Sequence, residues 1–231
     1  MRRDLNYRFT SDWTSMHFDH WKEWFAGYVG KPDVKMLEIG TYEGRSAFWF
    51  VENVLTGPGA GLTCVDTWAD RRVHENFLYN VQKHPNTDRI VRIKNTSDCV
   101  PVCYPNPYFD IAYVDGNHDV DWVLHDAINA WGALKPGGLC LFDDYGTFPG
   151  VHDGTGIFFR DRTDFEIATY GHQLLVRKLG SSSTEGNAPA PKDSPPEGQG
   201  NGPKRCGPES DTNLCFSCGE SRNWNGCGKV L

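Results

Sequence analysis

Short apolar runs that end in acid recur along this 231-residue chain. Phe109-Asp-Ile-Ala-Tyr-Val-Asp115 is one, and Leu139-Cys-Leu-Phe-Asp-Asp144 is another. Both read as buried parallel strands with carboxylates at their carboxyl ends, where open α/β sheets place ligands. Val34-Lys-Met-Leu-Glu-Ile-Gly40 predicts a first strand, Leu62-Thr-Cys-Val-Asp66 a second that also ends in acid, and Ile90 to Lys94 a third. Between the strands, apolar residues return at spacings of three and four, the stripe of an amphipathic helix. Residues 13–30 carry such a stripe in Trp21, Trp24, Phe25, Tyr28 and Val29. Arg45 to Leu55 turns Ala47, Phe50, Val51, Val54 and Leu55 to one side, and Arg71 to Lys83 shows a weaker pattern stopped by His84-Pro-Asn. The most regular helix carries Val120, Val123, Leu124, Ala127, Ile128, Trp131 and Leu134 and is closed by Lys135-Pro-Gly-Gly138. The stretch from Pro101 to Pro107 predicts little regular structure. Phe165 to Tyr170 and Gln173 to Lys178 flank Gly171-His172, and so short a connection predicts an antiparallel hairpin.

Five strand–helix repeats and a closing hairpin predict an α/β fold: a three-layer Rossmann-like sandwich with a mostly parallel seven-stranded sheet and a C-terminal antiparallel hairpin. The pattern stops after residue 179. Residues 180–205 are rich in Ser, Gly, Pro and Asn with almost no large apolar residue, so burial there cannot offset the entropy of ordering. The expected organisation is one domain over 1–179, a disordered linker over 180–205 and a cysteine-bearing tail over 206–231. The tail carries Cys206, Cys215, Cys218 and Cys227. Four thiolates can hold zinc, but the outer spacings match no common finger and the apolar content is too low for a core, so an unstructured tail is the expectation.

Composition narrows the function classes. A net charge of −7 and a pI near 5.6 argue against a general nucleic-acid or membrane-surface binder, which needs a cationic face. No apolar run approaches the ~20 residues of a membrane span. Met1-Arg-Arg-Asp-Leu-Asn is followed by no apolar stretch, so no secretory signal is expected and the expected location is cytoplasmic. Cys64 and Cys140 sit inside apolar runs, where a reduced cysteine is a small hydrophobe, so the body is not a disulfide scaffold.

Chemistry gathers at the strand ends. Glu38-x-Gly40-x-x-x-Gly44 leads from a strand into a helix; its glycines let the backbone approach a ligand, and the helix start offers N–H groups to an anion. The same piece also serves as a tight turn that binds nothing. Asp66 either accepts hydrogen bonds from a ribose diol or caps the next segment. Asp115, Asp143 and Asp144 either converge on a hard divalent cation such as magnesium or open turns at the ends of two strands. The first motif lacks the Gly-x-Gly-x-x-Gly spacing of a dinucleotide site, which disfavours an NAD-linked oxidoreductase.

The order of these pieces over residues 10–179 resembles the class I S-adenosylmethionine (SAM)-dependent methyltransferases. It is most similar to the small-molecule branch whose fourth-strand motif reads Val-Asp-Gly-x-His and whose fifth strand ends in Asp-Asp, here Val114-Asp-Gly-Asn-His118 and Phe142-Asp-Asp-Tyr145. Cephalosporin-biosynthesis and macrolide-sugar methyltransferases are similar, and catechol-type O-methyltransferases are more distant. The resemblance implies that Glu38 faces the amino-acid end of SAM, with Gly40, Gly44 and Ser46 at the methionine carboxylate, Asp66 at the ribose and Ser97 beside the adenine. It implies a magnesium ion on Asp115, Asp143 and Asp144, with room for a bidentate diol or catechol. His118 stands where catechol-type relatives carry a lysine base, either as that base or as a partner of a ligand carboxylate. His152 is a second candidate. Trp13, His17 and Trp21 lie in a segment that in relatives often covers the acceptor, and Tyr145 and Phe148 are candidate pocket walls. The function so implied is SAM-dependent methyl transfer to a hydroxyl of a small-molecule methyl acceptor, assisted by Mg2+. The alternative is a non-catalytic cofactor- or partner-binding domain of the same fold.

Overall fold

The computed structural model describes residues 6–180. The expected linker and tail, residues 180–205 and 206–231, lie outside the described residues but for Gly180. Seven strands form one sheet: β1 (Lys35–Ile39), β2 (Gly61–Asp66), β3 (Ile90–Lys94), β4 (Phe109–Val114), β5 (Leu134–Phe142), β6 (Phe165–Tyr170) and β7 (Leu174–Lys178). Their order is β3-β2-β1-β4-β5-β7-β6; the first five run parallel, and β7 is antiparallel to both β5 and β6. The expected doubly covered sheet with a closing antiparallel hairpin is the fold observed.

Strand alternation divides the core between two faces. On one face Met36, Leu62, Ile111, Tyr113 and Leu141 pack under α1 (Phe18–Trp24), α2 (Arg45–Asn53) and α3 (Arg71–Lys83). On the other, Leu37, Val65, Ala112, Cys140 and Phe142 pack under α5 (Val120–Ala133) and α6 (Pro149–Phe159). Trp21 is fully buried and stacks on Phe50 with ring centroids 4.7 Å apart. Burying such a side chain contributes about 1.5–3 kcal/mol. α3 starts at Asp70, whose carboxylate accepts from the N–H groups of Arg72 and Val73, and stops before Pro85.

Three local expectations differ from what forms. The stripe over 13–30 is not one helix: α1 is flanked by single 3₁₀ turns at Ser15–His17 and Ala26–Tyr28, and Val29 is half exposed. Gly27 weakens the helix within its last 3₁₀ turn, and Gly30, at φ 73°, ends it. Within 101–107 a one-turn helix, α4 (Val100–Cys103), does form, because Pro101 sits in its first turn where no N–H is needed. Finally, Leu134 belongs to β5 rather than to the preceding helix; it pairs with Phe109, and the register then shifts before Ile111. Ile128, counted in the apolar stripe, is half exposed.

The strand order reverses between β1 and β4, the switch point at which such sheets bind ligands. There the strand tips are laced in step. Gly40 N–H donates to Val65 C=O at 2.9 Å, Asp115 N–H to Ile39 C=O at 2.8 Å and Asp143 N–H to Val114 C=O at 3.0 Å. The acids that end β2, β4 and β5 therefore stand along one edge. Among the described residues no helix is long and apolar enough to cross a membrane.

Candidate active site

A cavity of about 590 Å3 opens over the tips of β1, β2, β4 and β5. Its floor is the glycine turn after β1. Gly40 takes φ 83° and Gly44 φ 90°, and a Cβ on Gly40 would overlap the carbonyl oxygen of Asp115. Only glycine lets β1 and β4 come this close in that conformation. Gly44 also precedes α2 without a side chain to cap it.

The acids beneath and beside this turn have separate duties. Glu38 does not line the cavity; it is fully buried and accepts from the Ser46 hydroxyl at 2.5 Å and the Cys64 thiol at 3.5 Å. Burial pushes its pKa up to about 7, against the pull of those donors. Ser46 lines the cavity with its hydroxyl turned to Glu38. Asp66 lines the cavity and shapes the turn: Oδ2 accepts from the N–H groups of Thr41 at 2.9 Å and Tyr42 at 2.8 Å, while Oδ1 accepts from Trp68 N–H at 2.7 Å. Ser97 donates to Asp126 Oδ1 at 2.5 Å, and both line the same cavity. Burial raises the Asp126 pKa to about 6. Asp126 was not anticipated, although a carboxylate next to Ala127 in the most regular apolar stripe is a signal, because an acid is rarely buried without a partner.

The amino-terminal segment closes over the turn. Thr10 donates its N–H and its hydroxyl to Glu43 at 2.6 and 3.0 Å, and Asn76 adds a third donor at 2.7 Å. Asn80 exchanges hydrogen bonds with the backbone of Arg8. Arg45 donates to Ser11 C=O at 3.1 Å and lies 3.4 Å from Asp12. Phe9, Ser11, Trp13 and Thr14 thereby become cavity wall. Trp13 was anticipated there; Trp21, proposed with it, is core.

At the acidic edge two adjacent carboxylates meet one imidazole. Asp144 holds φ 57° in the left-handed region, and its Oδ1 lies 3.9 Å from His172 Nε2. Asp143 turns inward: the Tyr113 hydroxyl donates to its Oδ2, and Gln173 donates to its Oδ1 at 3.0 Å. His172 Nδ1 and His17 Nε2 lie 3.7 and 4.0 Å from the same oxygen. Asp144 turns to His118, whose Nε2 lies 3.1 Å from Oδ2. The ligand-type atoms thus form two sets, Asp115–His118–Asp144 and His17–Asp143–His172, each with all atoms within 4.8 Å of one another. The Tyr113 hydroxyl, 3.2 Å from Asp115 Oδ2, links them.

Electrostatics mark this edge. Burial, and then the charges of Asp143 and Asp144, hold the Asp115 carboxyl well above the usual carboxylate range. Asp144 is raised by burial and by Asp143, with His118 and His172 opposing. Burial lowers the His17 pKa. A divalent cation suits the donors at Asp115 and Asp144, because it would neutralise the repulsion that raises them. His118 stacks on Phe148 at 4.1 Å, but neither Phe148 nor Tyr145 lines the cavity. His152 is exposed beside Asp153 and lies outside the cavity lining.

Comparison with known proteins gives a consistent fold. A family model described as a methyltransferase domain matches residues 37–145. Uncharacterized protein R132 of Acanthamoeba polyphaga mimivirus is 27% identical over 133 residues, covering 56% of this chain and 59% of the viral protein. The match therefore spans less than two thirds of that relative. The O-methyltransferase TomG from Streptomyces achromogenes, involved in tomaymycin synthesis and solved in complex with SAM, superposes with a TM-score of 0.51 at 20% identity, covering 63% of this chain and 73% of that one. An O-methyltransferase from Bacillus cereus in complex with SAH superposes with a TM-score of 0.56 at 17% identity, covering 73% and 84%. At these identities the two structures speak for the fold.

Proposed function

We propose that this chain, which carries a methyltransferase domain of the class I SAM-dependent fold, transfers a methyl group from SAM to a hydroxyl of a small molecule with the help of a divalent cation. The observation that carries the proposal is the placing of Asp115, Asp144 and His118 at the rim of the cavity that also holds the glycine turn. When bound, SAM supplies an electrophilic methyl group on a sulfonium. Gly40 and Gly44 give its amino-acid end close approach to the backbone, Asp66 presents carboxylate to the ribose, and Ser97 with Asp126 stands beside the base. Glu38 supports this floor from beneath through Ser46.

His118 takes the proton from the acceptor hydroxyl, and Asp144, 3.1 Å from its Nε2, stabilises the imidazolium that results. Asp115 and Asp144, with Asp143 behind them, would hold Mg2+, which would make the acceptor hydroxyl more acidic and fix its oxygen. Trp13 and Tyr42, with rings 5.3 Å apart, form an aromatic wall suited to a flat acceptor.

Calorimetry with SAM, followed by methyl-transfer assays on catechols, vicinal diols and sugars with and without Mg2+, tests the reading. Mg2+-stimulated O-methylation of any of them is the expected result. SAM binding without turnover on the whole panel would instead point to a non-catalytic binding domain.

A further inference from the structure

His17, Asp143 and His172 come from three remote places: the turn before α1, the tip of β5 and the turn between β6 and β7. Neither histidine lines the cavity, although Asp143, which they face, does. His17 is 6% exposed, and its buried Nε2 has no hydrogen-bond partner although it faces Asp143 at 4.0 Å. A buried ring nitrogen without a partner is costly, and a ligand that engages it removes the cost. His172 faces the same carboxylate oxygen, with the two imidazoles 4.7 Å apart and tilted.

We propose that His17, Asp143 and His172 bind a divalent cation of the borderline, imidazole-preferring class, with zinc as the representative ion, at a site that adjoins Asp115–His118–Asp144 where His172 Nε2 comes within 3.9 Å of Asp144. Two imidazoles and one carboxylate suit zinc or cobalt, whereas magnesium favours a shell of oxygens. With bonds of about 2.0–2.1 Å, a tetrahedral ion needs its donors roughly 3.4 Å apart. The observed 3.7 and 4.0 Å are wider by a few tenths of an ångström. His172 sits on an exposed turn, and the His17–Asp143 pair would draw together on the ion. Asp143 is already oriented for the task, since Trp21 Nε1 donates to Gln173 Oε1 at 2.8 Å and Gln173 in turn donates to Asp143. Such outer hydrogen bonds fix a ligand's direction. The ion would tie the amino-terminal segment to the closing hairpin.

The test is a Co2+ titration of the full-length, chelator-stripped protein, followed through visible d–d absorption and reversed with Zn2+. The difference spectrum between wild type and His172→Ala isolates this site from the cysteines of the tail. A Zn2+-displaceable band that is present in wild type and in Asp115→Asn is expected. In His172→Ala and in His17→Gln the affinity should fall tenfold or more, the scale reached by losing even an outer-shell partner. The exposed position of His172 keeps that variant informative if His17→Gln folds poorly. Identical titrations of wild type and His172→Ala, or loss of the band in Asp115→Asn, would overturn the proposal.

Discussion

Glu43 receives both the N–H and the hydroxyl of Thr10, at 2.6 and 3.0 Å, across 33 positions of sequence. Glu43 is almost wholly buried, so its replacement strands those donors and the Asn76 amide. Glu43→Ala should cost about 2–4 kcal/mol in urea unfolding. It should also weaken SAM binding by calorimetry, because the cavity wall at Phe9 to Thr14 is released with Thr10. Unchanged SAM affinity in a destabilised variant would show that the segment is only structural.

Gly40→Ala places a methyl group against the Asp115 carbonyl in a backbone region that L-residues disfavour. The left-handed strain and the overlap together should cost about 2–4 kcal/mol. The tips of β1 and β4 must part, so SAM binding should fall more than tenfold. Thermal denaturation and calorimetry on the same sample check both halves.

Asp115 and Glu38 have folded pKa values above their unfolded ones, so the native chain holds more protons than the unfolded chain. The stability they contribute is full below the unfolded values near ~4 and is lost as pH rises through the folded values. For Glu38 that window closes at about 7. In chelator, the melting temperature should therefore decline from acidic toward neutral pH. Asp115→Asn should flatten the decline and melt higher than wild type at neutral pH, while losing Mg2+ affinity. A variant that melts lower at neutral pH would contradict the account.

His118→Gln keeps a hydrogen-bonding side chain near Asp144 and removes the proton acceptor. Methyl transfer should drop by about 10²–10⁴-fold with SAM affinity unchanged, as for loss of a general base. A fall in SAM affinity alone would reassign His118 to binding.

A chain ending at residue 179 should fold and transfer methyl groups at the wild-type rate, since every cavity residue precedes that point. Comparison of kcat and melting temperature with the full chain measures this.

Much of the frame could be read before any coordinate. Short apolar runs bounded by glycine and acid locate every strand, and parallel strands that end in step bring Asp66, Asp115 and Asp143 to one edge. Contacts between remote polar residues were not legible. Nothing local in Glu43, Asn80 or Gln173 announces that their partners are Thr10, Arg8 and Asp143, because such pairs exist only after the layers close. Nor does Phe142-Asp-Asp-Tyr145 reveal that both carboxylates meet His172, on the turn between β6 and β7. Likewise Glu38, next to the end of β1, does not announce that Ser46 and Cys64 are the donors its carboxylate accepts from.

The left-handed backbone at Asp144 accompanies a carboxylate set between two imidazoles, His118 and His172. Asparagine, aspartate and glycine enter that region readily; β-branched side chains do not. Charge and shape at this position can thus be exchanged separately. Asp144→Asn or Asp144→Gly removes a negative charge from between His118 and His172 and leaves Asp143 facing His17 and His172. Asp144→Val would disturb charge and shape at once, because a β-branched residue resists that backbone.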